Sequence, residues 1–394
     1  MAGQQGHVKQ APTTDTEIRL AGIDMRSLIV YIDFKSPYAF LSVEPTRRLG
    51  RELGIELDWR PFVLDIPSYL GSAKLNAQGQ VASAERTQNQ WSGVKYAYYD
   101  CRRYANLRSM TVRGTVKIWD TNLASIGMLW AKRAGPEALE RYVDAVYVPF
   151  WKRELDIEDQ SVIESILSAA DINCSGFSAF VEGEGRQENL ALQEAAFDTG
   201  IFGVPTYVLG EQLFFGREHL SRIRWHLLGE EGDPPDVDYP IEPDSVVSPA
   251  SSRKLQIAID LDDPQSVLTI DRVVVLADTV SDLELSWHRL PPPRAPAQED
   301  LHDLSRSARH KHYRGQDRAS NYQRYCEPVL EGREASEAVA ERLARFNIEV
   351  TEPRSTEGLA AAAYLREPLF TLDEEIFIGR AHLSLIEARL KLHL

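Results

Sequence analysis

A serine and a proline open a predicted helix directly after a buried strand, and this junction carries the chain's clearest chemical signal. The strand is predicted over 28–34, and the helix begins at Ser36-Pro37. Serine is a favoured helix N-cap and proline a favoured first helical residue. Backbone N–H groups and the helix dipole also favour an anion there. Two interpretations stay open on residue chemistry: Ser36 only caps the helix, or its hydroxyl also stabilises a thiolate.

Polar residues further along the chain could contact an electrophilic substrate. They belong to a basic, aromatic-rich helix predicted over 88–107 and to a short polar segment before the next apolar helix. The candidates are Lys95, Tyr98, Arg102 and Arg103 on the helix, and Asp120, Thr121 and Asn122 in the segment. Packing or a solvated helix face explains each of these residues equally well.

The alternation of apolar periods predicts the elements that must position these residues. The predicted order is a strand at 28–34, a helix at 37–53, a strand at 55–62, a loop at 63–84, a helix at 88–107, a helical block at 115–197, a hairpin at 206–209 and 212–215, and a helix at 217–228. A strand–helix–strand unit, a helical insertion and a hairpin followed by a helix are typical of an α/β, thioredoxin-like fold with an inserted helical subdomain.

The same pattern returns later in the chain, which predicts a tandem duplication. The segment LIVYIDFKSPYAFLS (28–42) aligns without a gap with LQIAIDLDDPQSVLT (255–269), and VPTYVLGEQLFFGREHLSRI (204–223) aligns with EPLFTLDEEIFIGRAHLSLI (367–386). Segment 283–290 likewise matches the predicted strand at 55–62.

The predicted second copy is shorter and chemically different from the first. The two aligned prolines are 168 positions apart in the first copy (37 to 205) and 104 apart in the second (264 to 368). Most of the helical insert is therefore missing, and a substrate cleft walled by that insert would exist only in the first copy. Asp263 replaces Ser36, which keeps a helix cap but puts a carboxylate where it would repel a thiolate.

Composition divides the chain into four parts. Residues 1–26 are predicted to be a disordered tail, 27–228 the first thioredoxin-like domain, and 254–394 a second, truncated and degenerate thioredoxin-like domain. Between the two domains, residues 229–253 contain seven acidic residues and five prolines, which predicts a linker without a core of its own.

Charge and cysteine usage exclude several functional classes. A net charge of −15 and a pI near 5.2 argue against a nucleic-acid or anionic-membrane partner. The one basic run is predicted to be a solvated helix face; it comprises Arg306, Arg309, Lys311, Arg314, Arg318 and Arg324.

Three distant cysteines without a C-x-x-C motif argue against dithiol redox chemistry and suit a reducing compartment. The lack of a signal peptide or a long apolar run predicts a cytoplasmic protein with no membrane partner. An H-x-H motif at 310–312 is too weak to predict a metal site.

Two motifs give the first copy a family resemblance. DFKSPYAFL (33–41) and GIFGVPTYVLGEQLFFGREHL (200–220) resemble the DsbA-like 2-hydroxychromene-2-carboxylate isomerase family, relatives of the kappa-class glutathione transferases. The resemblance covers roughly residues 27–228. It implies a thioredoxin core with an inserted helical domain, glutathione as cofactor, Ser36 as the residue that holds the glutathione thiolate, and a cis peptide bond before Pro205.

The resemblance also implies how glutathione binds. Pro37 opens the helix, the N–H groups from Tyr38 onward point toward the thiolate, and the backbone of Val204-Pro205 pairs with the cysteinyl part. The N–H groups of the helix start at Gly216-Arg217-Glu218 suit the γ-glutamyl carboxylate, and the Glu218 side chain suits its ammonium group.

These observations predict a glutathione-dependent isomerase. In this interpretation the Ser36-stabilised thiolate adds reversibly to a small conjugated, electrophilic or aromatic-catabolite substrate. A kappa-like glutathione transferase and a non-catalytic thioredoxin-like binding or scaffold protein are the alternatives. Family members are commonly homodimers, so we expect either a homodimer or a monomer whose two copies form an internal pseudo-dimer.

Overall fold

The chain begins with a parallel strand–helix–strand unit. The computed structural model describes residues 27–76, 81–290, 306–352 and 367–392, and the predicted tail at 1–26 lies outside them. Strand β1 (Ser27–Ile32) is followed by helix α1 (Pro37–Leu53) and by strand β2 (Glu56–Pro61), which pairs with β1 in parallel. Gly54 ends α1 in the left-handed conformation that glycine adopts most easily.

The segment after β2 is more structured than the sequence predicts. It contains helix α2 (Ile66–Leu70) and a hairpin of β3 (Ala73–Leu75) and β4 (Val81–Ala84). The predicted loop is therefore wrong here, because elements of three to five residues are too short to show a period. Helix α3 (Gln88–Leu107) follows as predicted, and a reciprocal capping box between Thr87 and Gln90 starts it.

The helical insertion is confirmed, with breaks near the predicted positions. Its helices are α4 (Asn122–Arg133), α5 (Pro136–Trp151), α6 (Gln160–Ala169), α7 (Phe177–Glu182) and α8 (Glu184–Asp198). Asp33 joins the insertion to the sheet: its carboxylate accepts from the Thr121 hydroxyl (2.7 Å) and from the Leu64 amide (2.7 Å). The Tyr147 hydroxyl donates to the Asp33 carbonyl (2.9 Å), so the end of β1 is held from both sides.

A hairpin and a helix complete the first sheet. Strands β5 (Thr206–Leu209) and β6 (Gln212–Phe215) form the predicted hairpin, and the strand order is β2-β1-β5-β6. The last helix starts later than predicted, because Arg217–His219 form a 3₁₀ turn before α9 (Leu220–Leu227). Tight 3₁₀ turns are common where a helix begins.

A second sheet lies in the C-terminal region. Its elements are β7 (Lys254–Ile259), α10 (Gln265–Thr279), β8 (Glu284–Arg289), α11 (Arg306–Asn321), a π turn (Tyr322–Cys326), α12 (Glu327–Leu330), α13 (Ala335–Arg345), β9 (Val350–Thr351), β10 (Leu369–Leu372), β11 (Glu375–Ile378), a 3₁₀ turn (Arg380–His382) and α14 (Leu383–Lys391). The strand order is β11-β10-β7-β8-β9. Four adjacent strands, β8-β7-β10-β11, thus repeat the pairing of the first sheet.

Reciprocal contacts join the two regions. Arg103 on α3 donates to a backbone carbonyl of β11 and stacks on Phe377 at 4.0 Å. Arg324 donates to a backbone carbonyl of β6 (2.8 Å) and stacks on Phe214 at 4.2 Å. Each region therefore places a helical arginine on the other region's hairpin.

The acidic, proline-rich segment 229–253 is packed between the two regions. Its Asp238 amide donates to the Glu218 carbonyl (3.0 Å), and the next amide, of Tyr239, donates to the Ala381 carbonyl (3.0 Å). The segment thus contacts both 3₁₀ turns in consecutive residues, a role that composition alone did not predict.

The predicted solvated face of the basic run is also wrong in part. Arg314 is half-buried on the wall of a cavity and Arg324 packs on Phe214, whereas Arg318 borders the same cavity and stays exposed. Helical periodicity does not show which other part of the chain covers a face.

Within the described ranges, no helix has both the length and the apolar character needed to cross a membrane.

Candidate functional site

A cavity of about 550 Å³ lies where the two regions meet. Its walls come from the helix starts and hairpins of both sheets, so the cavity has two ends. The first end comprises Tyr38, Tyr96, Asp100, Val204, Pro205, Gly216, Arg217 and Glu218. The second end comprises Asp263, Gln265, Asp317, Asn321, Glu367, Gly379 and Arg380.

Ser36 caps α1 as the sequence predicts. Its hydroxyl oxygen accepts from the Ala39 amide (3.2 Å), and the hydroxyl donates to the Val204 carbonyl (3.3 Å). The residue is buried, and its neighbours Tyr38 and Val204 form the adjacent cavity surface. Ser36 therefore lies directly behind the wall of the first end.

The Val204–Pro205 peptide bond is cis, as the family resemblance implies. The Val204 carbonyl receives the Ser36 hydroxyl, and the Pro205 carbonyl accepts from the Gly216 amide (2.9 Å). These contacts bring the helix start at Ser36, the Val204-Pro205 segment and Gly216 together. Gly216 has a φ of 110°, a conformation that favours glycine.

Arg217 presents a buried cation at the first end. Its guanidinium carbon lies 4.3 Å from the ring centre of Tyr104 and 4.0 Å from that of Tyr239. Its Nε and Nη2 atoms find no hydrogen-bond acceptor among the described residues, and the residue is only 6% exposed. A buried guanidinium without an acceptor is costly, so these atoms call for a ligand group or water.

Three carboxyl groups on the cavity wall hold their protons near neutral pH. Burial raises the pKa of Glu218 and the pKa of Glu367 to about 7 each, although Arg217 lowers the first and Arg380 the second. Burial also raises the pKa of Asp317 to about 6. The cavity can therefore bind or release protons between about pH 6 and 7.

A polar network that sequence reasoning missed closes the first end. Asp100 accepts from Arg103 (2.6 Å) and from the Tyr38 hydroxyl (3.4 Å). His382, from the C-terminal region, lies 3.7 Å from Asp100 through Nε2 and 2.8 Å from the Tyr104 hydroxyl through Nδ1. Burial raises the pKa of Asp100 and lowers the pKa of His382 well below its usual value. The recurrence of His219 as His382 was the available sequence signal.

The predicted electrophile contacts lie away from this cavity. Thr121 binds Asp33, Asn122 accepts from Asn189 (2.9 Å), and Arg102 donates to the Tyr98 carbonyl (2.9 Å). Tyr98 contacts the Thr115 hydroxyl (3.1 Å), and Lys95 is exposed. The helical insertion does not wall the cavity either, because its far wall is the C-terminal region.

No metal-binding group of three or more histidine, cysteine or acidic residues occurs within the described ranges. Of the H-x-H motif, His310 instead stacks on Tyr69, with ring centres 4.1 Å apart. Burial raises the pKa of the Cys101 thiol and raises that of Cys326 to about 12, so neither buried thiol forms a thiolate readily.

A sequence profile of the DSBA-like thioredoxin domain matches residues 27–227. The chain belongs to this family. The matched range contains the first sheet, the helical insertion and every residue of the first end, whereas the second end lies beyond it. We call residues 27–227 the DSBA-like domain.

Curated relatives of the DSBA-like domain are named isomerases. A 2-hydroxychromene-2-carboxylate isomerase from Sphingobium xenophagum is 25% identical over 206 residues, which cover 52% of this chain and 98% of that protein. The enzyme of the same name from Pseudomonas putida is 24% identical over 195 residues, 49% of this chain and 90% of that protein.

Solved structures align with the same part of the chain. A 2-hydroxychromene-2-carboxylate isomerase structure aligns with a TM-score of 0.40 at 21% identity, covering 52% of this chain and 95% of its own. A probable DsbA oxidoreductase from Streptomyces coelicolor aligns with a TM-score of 0.41 at 18% identity, covering 57% and 99%.

Proposed function

We propose that the chain is a glutathione-dependent isomerase that acts on a small conjugated substrate. The observation that carries the proposal is the contact of the Ser36 hydroxyl with the Val204 carbonyl beside the cis Val204–Pro205 bond, at the edge of a cavity. Isomerase names among the relatives of the DSBA-like domain support the same conclusion.

The first end of the cavity fits glutathione in three respects. The cavity volume of about 550 Å³ is in the range of small-molecule sites. The Ser36 hydroxyl lies at a helix N-terminus, which lowers the pKa of a nearby thiol. The Arg217 guanidinium offers two N–H groups without acceptors to a carboxylate.

Each residue then has a separate task. Glutathione supplies a thiol nucleophile that adds reversibly to a conjugated carbon. Ser36 would turn its hydroxyl from the Val204 carbonyl toward the sulfur and stabilise the negative charge there. Val204 and Pro205 would orient the cysteinyl backbone, and Glu218 would face the ammonium group. Tyr38 and the C-terminal region exclude water from the first end.

A transferase would use the same residues and would release the thioether instead of reversing the addition. One observation favours the non-catalytic alternative: the Ser36 hydroxyl is buried, and both of its hydrogen bonds are made within the chain. In that case Ser36 is only a cap. The catalytic proposals and the non-catalytic one differ in whether glutathione binds.

The test combines calorimetry with turnover. We expect reduced glutathione to bind the wild-type protein, and Ser36→Ala to lower glutathione-dependent isomerisation of 2-hydroxychromene-2-carboxylate by about 10²-fold or more, as for the loss of one donor to a developing charge. Ser36→Thr, which keeps a hydroxyl, should retain most of the activity.

The predicted helix cap at Asp263 is wrong, because the N-cap of α10 is Pro264 and Asp263 accepts from the Gln265 amide (2.9 Å) instead. Asp263→Ala, at the position aligned with Ser36, is still the matched control, since it leaves Ser36 and its contacts in place. Unchanged turnover in Ser36→Ala would contradict thiolate stabilisation by this residue. An absence of glutathione binding at millimolar concentration would favour the scaffold protein. Release of a stable thioether would favour the transferase.

We further propose that the second region is a degenerate copy of the DSBA-like domain, packed as an internal pseudo-dimer. Four strands repeat the same order, and equivalent bonds recur: Gly216 to the Pro205 carbonyl (2.9 Å), and Gly379 to the Pro368 carbonyl (2.8 Å). The reciprocal arginine contacts described above have the form of a two-fold interface. Light scattering that shows a monomer would support this arrangement.

A further inference from the structure

Two arginines occupy matching places at the two ends of the cavity. Arg217 follows Gly216 in the first 3₁₀ turn, and Arg380 follows Gly379 in the second. Both residues are buried and both line the cavity. Their side chains nevertheless have different surroundings.

The chain itself supplies a carboxylate to Arg380. Asp236 lies against the guanidinium, with both oxygens 2.9–3.0 Å from Nε and one oxygen 2.9 Å from Nη2. Nη1 donates to the Gln265 side-chain oxygen (2.5 Å). This is the two-point pairing that arginine makes with a planar carboxylate.

The same two nitrogen atoms of Arg217 have no acceptor among the described residues. They are Nε and Nη2, the pair that Asp236 occupies on Arg380. A second, smaller void of about 10 Å³ also borders Arg217 and is lined in part by Tyr104, Ile241 and Glu242, whose carboxylate is already paired with Arg48 (2.5 Å). Such a void holds about one water molecule and is too small for a carboxylate. Arg217 also lines the main cavity, but Nε and Nη2 are themselves fully buried, so a carboxylate that enters through this cavity reaches them only if the side chains around the guanidinium move.

We propose that Arg217 is the carboxylate receptor of this cavity, and that the Asp236–Arg380 pair shows the geometry of the missing contact. The rings of Tyr104 and Tyr239, which contact each other edge-to-face with centres 5.2 Å apart, both pack against the guanidinium and restrict its orientation before a ligand arrives. The inference deepens the proposed function, since it names the group by which the occupant of that cavity is held.

The carboxylate has two possible sources. It belongs to glutathione, through the γ-glutamyl residue, or to an unsaturated aromatic carboxylate that glutathione attacks. The binding chemistry is the same in both cases. Paired probes with and without the carboxylate distinguish the two sources.

Binding of four probes to the full-length protein tests the proposal. Cinnamate is compared with its neutral amide, cinnamamide, and glutathione with 4-aminobutanoyl-cysteinylglycine, which keeps the ammonium group and lacks only the γ-glutamyl carboxylate. We expect the wild-type protein to bind at least one carboxylate probe about ten-fold or more tightly than its partner. Arg217→Met should abolish that preference, and Arg217→Lys, which keeps the charge but not the fork, should restore it only in part.

Thermal unfolding of the ligand-free variants is the second measurement. Arg217→Met removes a buried charge that lacks an acceptor, so it should leave the melting temperature unchanged or raise it. The matched variant Arg380→Met leaves Asp236 unpaired and should lower the melting temperature by several degrees while it keeps the probe preference.

Three results would overturn the inference. They are a wild-type protein with no preference for either carboxylate, a preference that survives in Arg217→Met, and a melting temperature that falls as far in Arg217→Met as in Arg380→Met. The last result would mean that Arg217 holds only a water molecule and the packing around it. A cinnamate preference that depends on Arg217, together with no glutathione binding, would refute the proposed function and leave the carboxylate receptor standing.

Discussion

The two ends of the cavity share a backbone and differ in charge. Each end has a helix start, a hairpin and a Gly-Arg turn in the same arrangement. The first end carries the Ser36 hydroxyl and an arginine without an acceptor, whereas the second end carries Asp263 and an arginine already paired with Asp236. The same arrangement of backbone elements thus carries an arginine without an acceptor at one end and a paired arginine at the other, and the side chains decide which end suits an anion.

A second difference lies on the helices that dock the two regions. Asp100 stands three residues before Arg103, and Asn321 stands three residues before Arg324. Asp100 and Arg103 form a buried ion pair (2.6 Å), whereas Arg324 donates to the neutral amide oxygen of Asn321 (3.4 Å). The same docking contact is therefore ionic at the first end and neutral at the second.

The largest effect is expected from breaking that ion pair. Arg103→Met leaves the buried Asp100 without its cation and should lower the free energy of unfolding by about 3–5 kcal/mol. Arg324→Met removes bonds to neutral oxygens only and should cost about 1–2 kcal/mol. Urea unfolding of both variants measures the difference, with the double variant Arg103→Met/Asp100→Asn as the control that should recover part of the loss. Equal losses in the two single variants would show that charge does not distinguish the two ends.

An intermediate effect is expected from the buried carboxyl groups. Because burial raises the pKa of Glu218 and of Glu367 to about 7, the folded state keeps protons that the unfolded chain releases near pH 4.5. The stability that each group contributes is complete below about pH 4.5 and is lost as the pH rises to 7. Glu218→Gln and Glu367→Gln should each flatten the pH dependence, with a gain on the order of 2 kcal/mol at pH 7 relative to pH 5.

The charged neighbours set the contrast between these two variants. Arg217 and the acids Asp317 and Asp100 act on Glu218, whereas Arg380, Asp263, Arg318 and Glu218 itself act on Glu367. Urea unfolding at pH 5, 6 and 7 gives the slope for each variant. Glu44→Gln, an exposed carboxyl group that pairs with Arg51 (2.6 Å) away from the cavity, is the control. A slope unchanged in both cavity variants would mean that water already hydrates these carboxylates.

Local sequence signals predicted the frame of the first end well. The Ser36 cap, the hairpin turn and the helical breaks depend on neighbouring residues, so a short window contains the necessary information. The cis bond at Pro205 came from the family resemblance. These features are encoded within one domain.

The composition of the cavity could not be predicted in the same way. Its second end consists of residues that lie 36 or more positions beyond the DSBA-like domain, from Asp263 (263 − 227 = 36) onward. No local pattern predicts that Asp236 pairs with Arg380 or that His382 approaches Asp100. The predicted electrophile contacts lie outside the cavity for the same reason. The polarity of Thr121 is used within the fold, because its hydroxyl donates to the Asp33 carboxylate. Contacts between distant segments are not visible in the hydrophobic periodicity or in the residue composition of either segment.

The smallest effects should come from two tyrosine–histidine pairs, and here the two ends should agree. The Tyr104 hydroxyl lies 2.8 Å from His382 Nδ1, and the Tyr325 hydroxyl lies 2.7 Å from His219 Nδ1. Tyr104→Phe and Tyr325→Phe should each cost about 1–2 kcal/mol of unfolding free energy, because a buried ring nitrogen is left without a partner.

Both histidines should stay neutral in the folded variants, so the pH dependence of the two losses is the control. Burial lowers the pKa of His219 to about 3 and the pKa of His382 well below its usual value. The two losses should therefore be equal, additive in the double variant and constant between pH 5 and 8 when measured by urea unfolding. A loss of unfolding free energy that disappears below pH 6 in one variant would mean that the partner histidine is protonated in the folded protein at that pH. The two ends would then differ in their tyrosine–histidine pairs as well as in their arginine contacts and their ligand chemistry.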